Sequence, residues 1–449
     1  MKKFDLIVVG AGSGLDIVAE ADEKGLKTAL VEEGPLGGTC HNRGCVPSKM
    51  LIHHADVAET IRNSQKFFIK SKIEAIDFPA IVKGVNGQID REAEEMAKAL
   101  ASSKNVTWYR QRSKFIGPKT MQSANETFSA DKVIIVGGTR THILPIPGLD
   151  KVKYITSTEA LRLTKQPKHL VIVGGGYIAC EIAHFYGALG TKITILVRRD
   201  KLLREEDEEI STWFTKEFSQ KYNVLFNTEI ESVSQNGKEI TAILKGGKQK
   251  LIFDQLLLAT GRIPNTDILN VKEGGIETDD KGYIKVNEYL ETNVPGIWAL
   301  GDIVGILPFK HTANHQAGYI INNLFYGKKE PVSYHAIAHA VFSSPQVAGV
   351  GKTEQDLKLE GAPYKVGRAE YSEVAMGDAL KENGLVKVIT DEKKQEIFGC
   401  HIVGPDASTL IHEVVVAMKT TGKTSAIKKS VFVHPALSEV VRNAFYAIE

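Results

Sequence analysis

The sequence predicts an α/β fold: two copies of one nucleotide-binding plan, Rossmann-like in pattern, followed by a separate α+β segment. Three observations carry this expectation. First, LIVVGAGSGLDIVAEA near residues 4–24 and LVIVGGGYIACEIAHF near 169–189 each run from a short Val/Ile strand through a glycine-rich turn into a helix. This is an internal duplication of a dinucleotide-binding unit. Second, each unit is followed by another strand, TALVEE and ITILVRR, which completes the βαβ pattern that feeds a parallel sheet. Third, beyond a Pro-marked boundary near 331, strands such as GLVKVIT and EIFGCHIVG alternate with helical stretches at about 407–420 and 436–446. Between the two units lie an amphipathic helical region, about 80–103, and β-like runs around 105–136, closed by Pro145 and Pro147.

A chain of 449 residues exceeds one ordinary core and suggests about three domains. Apolar residues make up 43% and charged residues 24%, the balance of a soluble globular protein. The net charge of +2, with no basic block beside aromatics, leaves no electrostatic footprint for nucleic acid or an anionic membrane, so small-molecule partners are expected. The N-terminal MKKFDLIVVGAGSG resembles a signal peptide only superficially. Asp5 interrupts it, the apolar run Leu6–Val9 is short, and glycines follow at once, so it reads as a buried strand. The other apolar runs fall far short of the ~20 residues that cross a bilayer. Four cysteines in so long a chain are not a disulfide scaffold and point to a reducing, cytoplasmic compartment, where a disulfide is chemical rather than structural.

In the first unit Gly10 and Gly12 hold the first two positions of GxGxxG, where a tight turn lets a pyrophosphate approach a helix N-terminus. The third position is Leu15, which predicts looser helix packing there, although Gly14 beside it keeps the loop small. Glu32, at the end of the next strand, has the carboxylate and the spacing to accept a ribose hydroxyl. In the second unit Gly174, Gly176 and Ala179 fit the pattern, alanine being accepted at the third position. Where an NAD site places an acid, the sequence reads VRRDKLLR. Arg198, Arg199 and Arg204 suit a 2′-phosphate, so NADPH is favoured over NADH against the alternative of a solvated basic patch beside the acidic run Glu205–Glu209. GVGKT at 349–353 mimics the end of a P-loop, but Gln346 stands where its first glycine is required.

GGTCHNRGCVPSK at 37–49 carries the strongest chemistry. Two cysteines, Cys40 and Cys45, at a loop-to-helix turn can close a small reducible ring and cycle between dithiol and disulfide. Pro47 helps to open a helix whose N-terminal dipole would stabilise a thiolate at Cys45. Metal binding is the alternative, but no second ligand pair with zinc spacing is present.

With these motifs in this order, the chain resembles, over essentially its whole length, the class I pyridine nucleotide-disulfide oxidoreductases, the family of glutathione reductase, dihydrolipoamide dehydrogenase, mercuric reductase and mycothione reductase. The resemblance implies a flavoprotein using FAD and NADPH in preference to NADH, working as a homodimer whose active site is shared across the interface. It implies an FAD-binding domain in two parts, 1–145 and 266–330, an NAD(P)-binding domain at 146–265 and a dimerisation domain at 331–449. By that likeness Cys45 is the flavin-facing thiolate and Cys40 the interchange thiol. Lys49 stands beside the flavin paired with Glu181, and Tyr177 resembles a gate to the nicotinamide pocket. Asp302, in ALGD, meets the ribityl chain, while Gly14, Gly38, Thr39 and Gly261 join the cofactor contacts. VHPALSEVV places His434 and Glu439 where the family keeps its acid–base pair, a histidine near pKa ~6.5 oriented by a carboxylate. Phe432, where lipoamide dehydrogenases usually show another histidine, counts against that activity, and the terminal thiols typical of mercuric reductase are missing. Cys180 and Cys400 read as inert buried residues, and VGGTRT at 136–141 departs from the family's ATGS-like segment. The expected activity is reduction of a low-molecular-weight disulfide. FKHTANHQAG and HPALSEVV look closest to mycothione reductase. The alternatives are a dihydrolipoamide dehydrogenase working toward NAD, and a non-catalytic or weak-oxidase binding component, against which the intact cysteine pair with His434 and Glu439 speaks.

Overall fold

The computed structural model describes residues 1–247 and 249–449. The chain forms two compact units, one of residues 1–48, 82–142 and 261–333, the other of residues 49–81, 143–260 and 334–449.

The first unit is organised on a seven-stranded sheet. The strand Lys2–Val9 lies between Thr28–Val31 and Glu126–Ile135, parallel to both. Val106–Tyr109 extends the sheet in parallel beyond Thr28–Val31, and Ile297–Ala299 pairs in parallel with the far end of Glu126–Ile135. The start of that long strand also closes an antiparallel meander with Thr120–Ser123 and Ser113–Gly117. The unbroken apolar run Leu6–Val9 follows from burial on both faces. Ile7 and Val9 join a core with Phe115 and Phe128. Leu6 and Val8 join another with Ile17, Val18 and Ala21 of the helix Gly14–Glu23.

Among the described residues the second unit holds three sheets. A five-stranded parallel sheet has Tyr154–Ile155 at one edge, then Gln255–Leu258, His169–Val173, Lys192–Leu196 and Asn223–Leu225. A three-stranded antiparallel sheet runs through Ile230–Asn236, Glu239–Leu244 and Lys250–Phe253. The C-terminal segment builds a five-stranded antiparallel sheet, in the order Ala338–Val341, Val347–Gly351, Ile397–Val403, Leu385–Thr390 and Lys365–Glu370. The helices Ala407–Thr420 and Glu439–Tyr446 bury Ile411, Val414, Val440 and Phe445 against it. The glycine-rich GVGKT stretch is strand and turn, and Thr353 caps the helix Glu354–Glu360 through a capping box, so it forms no phosphate loop. Among the described residues, no helix is long and apolar enough to cross a membrane.

Candidate functional site

The two glycine turns are physical copies of one another. Gly10 has φ +107° and Gly174 has φ +131°, and a Cβ would fall 2.3 Å from the Val136 carbonyl oxygen in the first and 2.2 Å from that of Ala259 in the second. Only glycine fits either place. At Gly12 and Gly176 a Cβ would meet nothing within 4 Å, which leaves open space at the N-termini of Gly14–Glu23 and Tyr177–Ala188. Neither helix has a side-chain cap, so its first N–H groups and the positive end of its dipole suit a dinucleotide's pyrophosphate. The looser packing expected at Leu15 is not found. A Cβ on Gly14 would lie 2.9 Å from Val8 Cγ1, so Gly14 supplies the close helix–strand approach and Leu15 packs at the edge of the core.

Glu32 is held by its own turn: Ala11 N–H donates to Oε2 at 3.0 Å and Gly34 N–H to Oε1 at 2.8 Å. The carboxylate is fixed at the strand end and keeps lone pairs for a ribose. Gly38, at φ +63°, presses on the first glycine turn, where its Cβ would lie 2.8 Å from Gly12 Cα. Thr39 and Cys40 follow on the short helix Gly38–Arg43. Gly44, at φ −146° and ψ −118°, ends that helix, a Cβ there would lie 2.9 Å from the Thr39 carbonyl oxygen, and Cys45 then opens the helix Cys45–Asn63. No disulfide joins the two thiols, Cys40 half-buried and Cys45 exposed. Hydrogen bonding with Cys45 and burial push the Cys40 thiol up, and the Lys310 ammonium pulls it back.

Asn42, inside the cysteine motif, escaped the sequence reading. Its buried amide donates to the carbonyls of Pro35, Leu36 and Gly38 and pins the loop that presents Cys40. Its signal was an amide between the two cysteines, too generic to single out.

Asp302 accepts from Thr139 Oγ1 at 3.1 Å, and Arg262 donates to Thr139 Oγ1 and to the Thr139 carbonyl at 2.7 and 2.6 Å. Arg140 forms a bidentate pair with Asp267 at 2.8 and 2.6 Å. These contacts explain the VGGTRT departure: Thr139 and Arg140 brace the antiparallel pair Thr139–Thr141 and Arg262–Pro264, and through it the aspartate. Gly261, at φ +96°, makes the turn into that pair.

In the second unit Lys49 Nζ lies 2.9 and 2.8 Å from the two oxygens of the buried Glu181. Phe342 N–H also donates to Glu181 at 2.9 Å, and its ring lies 4.7 Å from the ammonium. One turn on, His184 is fully buried with Nε2 2.7 Å from Asp56, a second clasp between the helices Cys45–Asn63 and Tyr177–Ala188 that sequence reading missed. Tyr177 opens the latter helix and is 42% exposed. Arg198, Arg199 and Arg204 are exposed just past the strand Lys192–Leu196. Lys245 first, with Arg198 and Arg199 adding to it, holds Glu229 below the usual carboxylate range. These side chains form an exposed cationic surface beside Glu229.

His434 precedes a cis proline, and its Nδ1 lies 3.1 and 3.2 Å from the oxygens of Glu439. Ala436 N–H and Arg442 also bond that carboxylate. His434 and the Ala436 amide hold Glu439 below its ordinary pKa. The imidazole is 75% exposed, so Nε2 is available to an outside group. Cys180 and Cys400 are fully buried, and burial pushes both thiols up. Among the described residues no cluster could hold a metal ion.

Two dinucleotide turns and a thiol pair at a helix start define a nucleotide-dependent thiol–disulfide oxidoreductase. Residues 4–317 match the family model described as pyridine nucleotide-disulphide oxidoreductase, residues 337–445 match its dimerisation domain, and the chain belongs to that family. It is 35% identical to the mycothione reductase of Mycobacterium tuberculosis over all of both chains. It is 33% identical to the mitochondrial dihydrolipoyl dehydrogenase 1 of Arabidopsis thaliana, over 99% of this chain and 90% of that protein. Among solved structures, the Cu(II) complex of the HOCl-induced flavoprotein disulfide reductase RclA from Escherichia coli superposes with a TM-score of 0.89 at 26% identity, covering 99% of each chain. The chain is thus an FAD-dependent disulfide oxidoreductase that uses a pyridine nucleotide and carries a dimerisation domain.

Proposed function

We propose that the enzyme draws electrons from NADPH, by way of FAD, into a Cys40–Cys45 disulfide and delivers them to a low-molecular-weight disulfide. The observation that carries this reading is the thiol pair itself, Cys45 at the first residue of a helix and Cys40 across the Gly44 break. Gly10, Gly12, Gly14, Glu32, Gly38, Thr39, Gly261 and Asp302 hold FAD. Gly174, Gly176, Tyr177, Arg198 and Arg204 hold the nicotinamide nucleotide, with the arginines on its 2′-phosphate. Bound FAD supplies two-electron transfer between nicotinamide and disulfide. Lys49, fixed by Glu181, keeps its positive charge one helical turn from Cys45, where it would favour negative charge on a reduced flavin.

Once the pair is reduced, the Cys40 thiolate attacks one sulfur of the substrate disulfide, forming a mixed disulfide and expelling the first thiolate. His434 of the partner subunit, oriented through Nδ1 by its glutamate, protonates that leaving group. The Cys45 thiolate then attacks Cys40 Sγ, restores the Cys40–Cys45 disulfide and expels the second thiolate, which takes its proton from solvent or from the exposed His434 after solvent has reprotonated it. One disulfide is consumed, two thiols leave, and the pair loses two electrons. With few cysteines and a redox-cycling pair, the reaction suits a reducing, cytoplasmic setting.

A second reading, oxidation of dihydrolipoamide with NAD, is favoured by the 33% identity to a dihydrolipoyl dehydrogenase. Anaerobic titration with NADPH and, separately, NADH separates the two. A long-wavelength thiolate-to-flavin band with NADPH, together with turnover of low-molecular-weight disulfides, is expected. A band with NADH alone, together with turnover of dihydrolipoamide, supports the second reading. No band with either nucleotide would overturn both.

A further inference from the structure

The acidic run Glu205–Glu209 follows the arginines directly in sequence, but in the structure four of its carboxylates face other cations. Glu206 Oε2 lies 2.7 Å from His339 Nε2, Asp207 2.8 Å from Lys387, Glu208 3.2 Å from Lys201 and Glu209 2.8 Å from Arg368. His339, Lys387 and Arg368 come from the segment past residue 334, within the same compact unit. Glu206 is buried only two residues beyond the exposed Arg204.

The arginine-bearing segment is fastened at both ends. Leu203 takes a left-handed conformation, φ +49°, and its N–H donates at 2.8 Å to the carbonyl of Gly175, inside the second glycine turn. A bulky residue keeps such a conformation only where its surroundings hold it there. The Arg199 carbonyl accepts from Asn227 N–H at 3.0 Å. At the far end, beside the His339 contact, Gln355 of the helix Glu354–Glu360 grips the backbone twice. Its amide donates to the Glu206 carbonyl at 2.8 Å and its oxygen accepts from Glu208 N–H at 3.1 Å. Gly349, in the stretch that mimics a P-loop, makes room for the imidazole, since a Cβ there would fall 2.8 Å from His339 Cε1.

We propose that His339 and Gln355 are positioning residues for the nucleotide, holding the segment from Arg198 to Asp207 so that Arg198 and Arg204 meet a 2′-phosphate. The inference rests on the NADPH reading and deepens it, because it makes the dimerisation segment part of the choice between nucleotides. Exposed arginine side chains lose rotamer freedom when they grip a phosphate, so a backbone already fixed lowers the cost of recognition. The buried Glu206 fixes that backbone only while its hydrogen-bond partners are present.

Adenosine 2′,5′-bisphosphate and AMP differ only in the 2′-phosphate, and titration calorimetry measures the binding of each to the FAD-loaded enzyme. His339→Leu should weaken the bisphosphate by about fivefold, the size of effect expected from one lost side-chain hydrogen bond, and leave AMP unchanged. His339→Gln, whose amide can donate to Glu206, should restore most of the loss. Gln355→Met should move the same ratio in the same direction, and it carries the test if His339→Leu fails to fold. An unchanged ratio in the folded variants, even with a lower thermal unfolding midpoint, would overturn the proposal and leave both side chains a packing role alone. Equal weakening of both nucleotides would overturn it as well. A wild-type enzyme that binds the two equally would refute the NADPH reading together with this inference, a result distinct from a wild type that discriminates and variants that discriminate as well.

Discussion

Lys387 is 1% exposed, and its ammonium lies 2.8 Å from Asp207, 2.6 Å from Glu354 and 3.1 Å from Glu209. Asp207 is fully buried and caps the helix Glu208–Lys221 by accepting from Glu209 N–H. Lys387→Met refills the volume but strands the Asp207 carboxylate without its cation. Breaking one partner of a buried pair costs about 3–5 kcal/mol. At roughly 2–4 °C per kcal/mol for a domain of this size class, the apparent unfolding midpoint should fall by at least about 5 °C. Adding Asp207→Asn removes the stranded charge while keeping an N-cap, so it should recover at least ~1 kcal/mol in a double-mutant cycle.

The pH dependence has a definite sign. Burial alone would raise Glu354, but Lys387, Lys358 and Tyr364 hold it down to about 2, and Asp207 is lowered likewise by His401 and Lys387 against its burial. A depressed carboxylate contributes stability that is present above its unfolded value, about 4, and is lost as pH falls through the folded value. The wild-type advantage over Lys387→Met should therefore be full at neutral pH and shrink below about pH 4. Thermal unfolding across that range measures it. A Lys387→Met midpoint equal to wild type at neutral pH would refute the reasoning.

Three further outcomes are expected. Cys40→Ala should retain FAD, seen in the visible spectrum, and lose essentially all disulfide turnover; a full rate would sink the thiol mechanism. Arg198→Glu combined with Arg204→Glu should cut kcat/KM for NADPH relative to NADH by at least about tenfold, read in initial rates with an artificial electron acceptor. Asn42→Ala removes a buried amide that donates to three carbonyls and should cost about 1–3 kcal/mol in urea unfolding; a midpoint equal to wild type would remove its role in pinning the loop.

What the sequence by itself determined is local in the chain. The Gly10–Gly12–Gly14 and Gly174–Gly176 turns were legible because a glycine requirement comes from backbone conformation within a few residues. The strand Leu6–Val9 was legible because burial on two faces demands an unbroken apolar run. Cys40 and Cys45 stand in a short motif whose chemistry follows from residue type and spacing, and likeness to the family supplied the pairing of His434 with Glu439 and of Lys49 with Glu181. Other features were decided only by tertiary structure. Glu206 and His339 lie 133 residues apart, Asp207 and Lys387 180 apart, and Thr139 and Asp302 163 apart. No local pattern marks such pairs, because a lysine or a threonine is ordinary until folding removes its water and leaves one particular partner within reach.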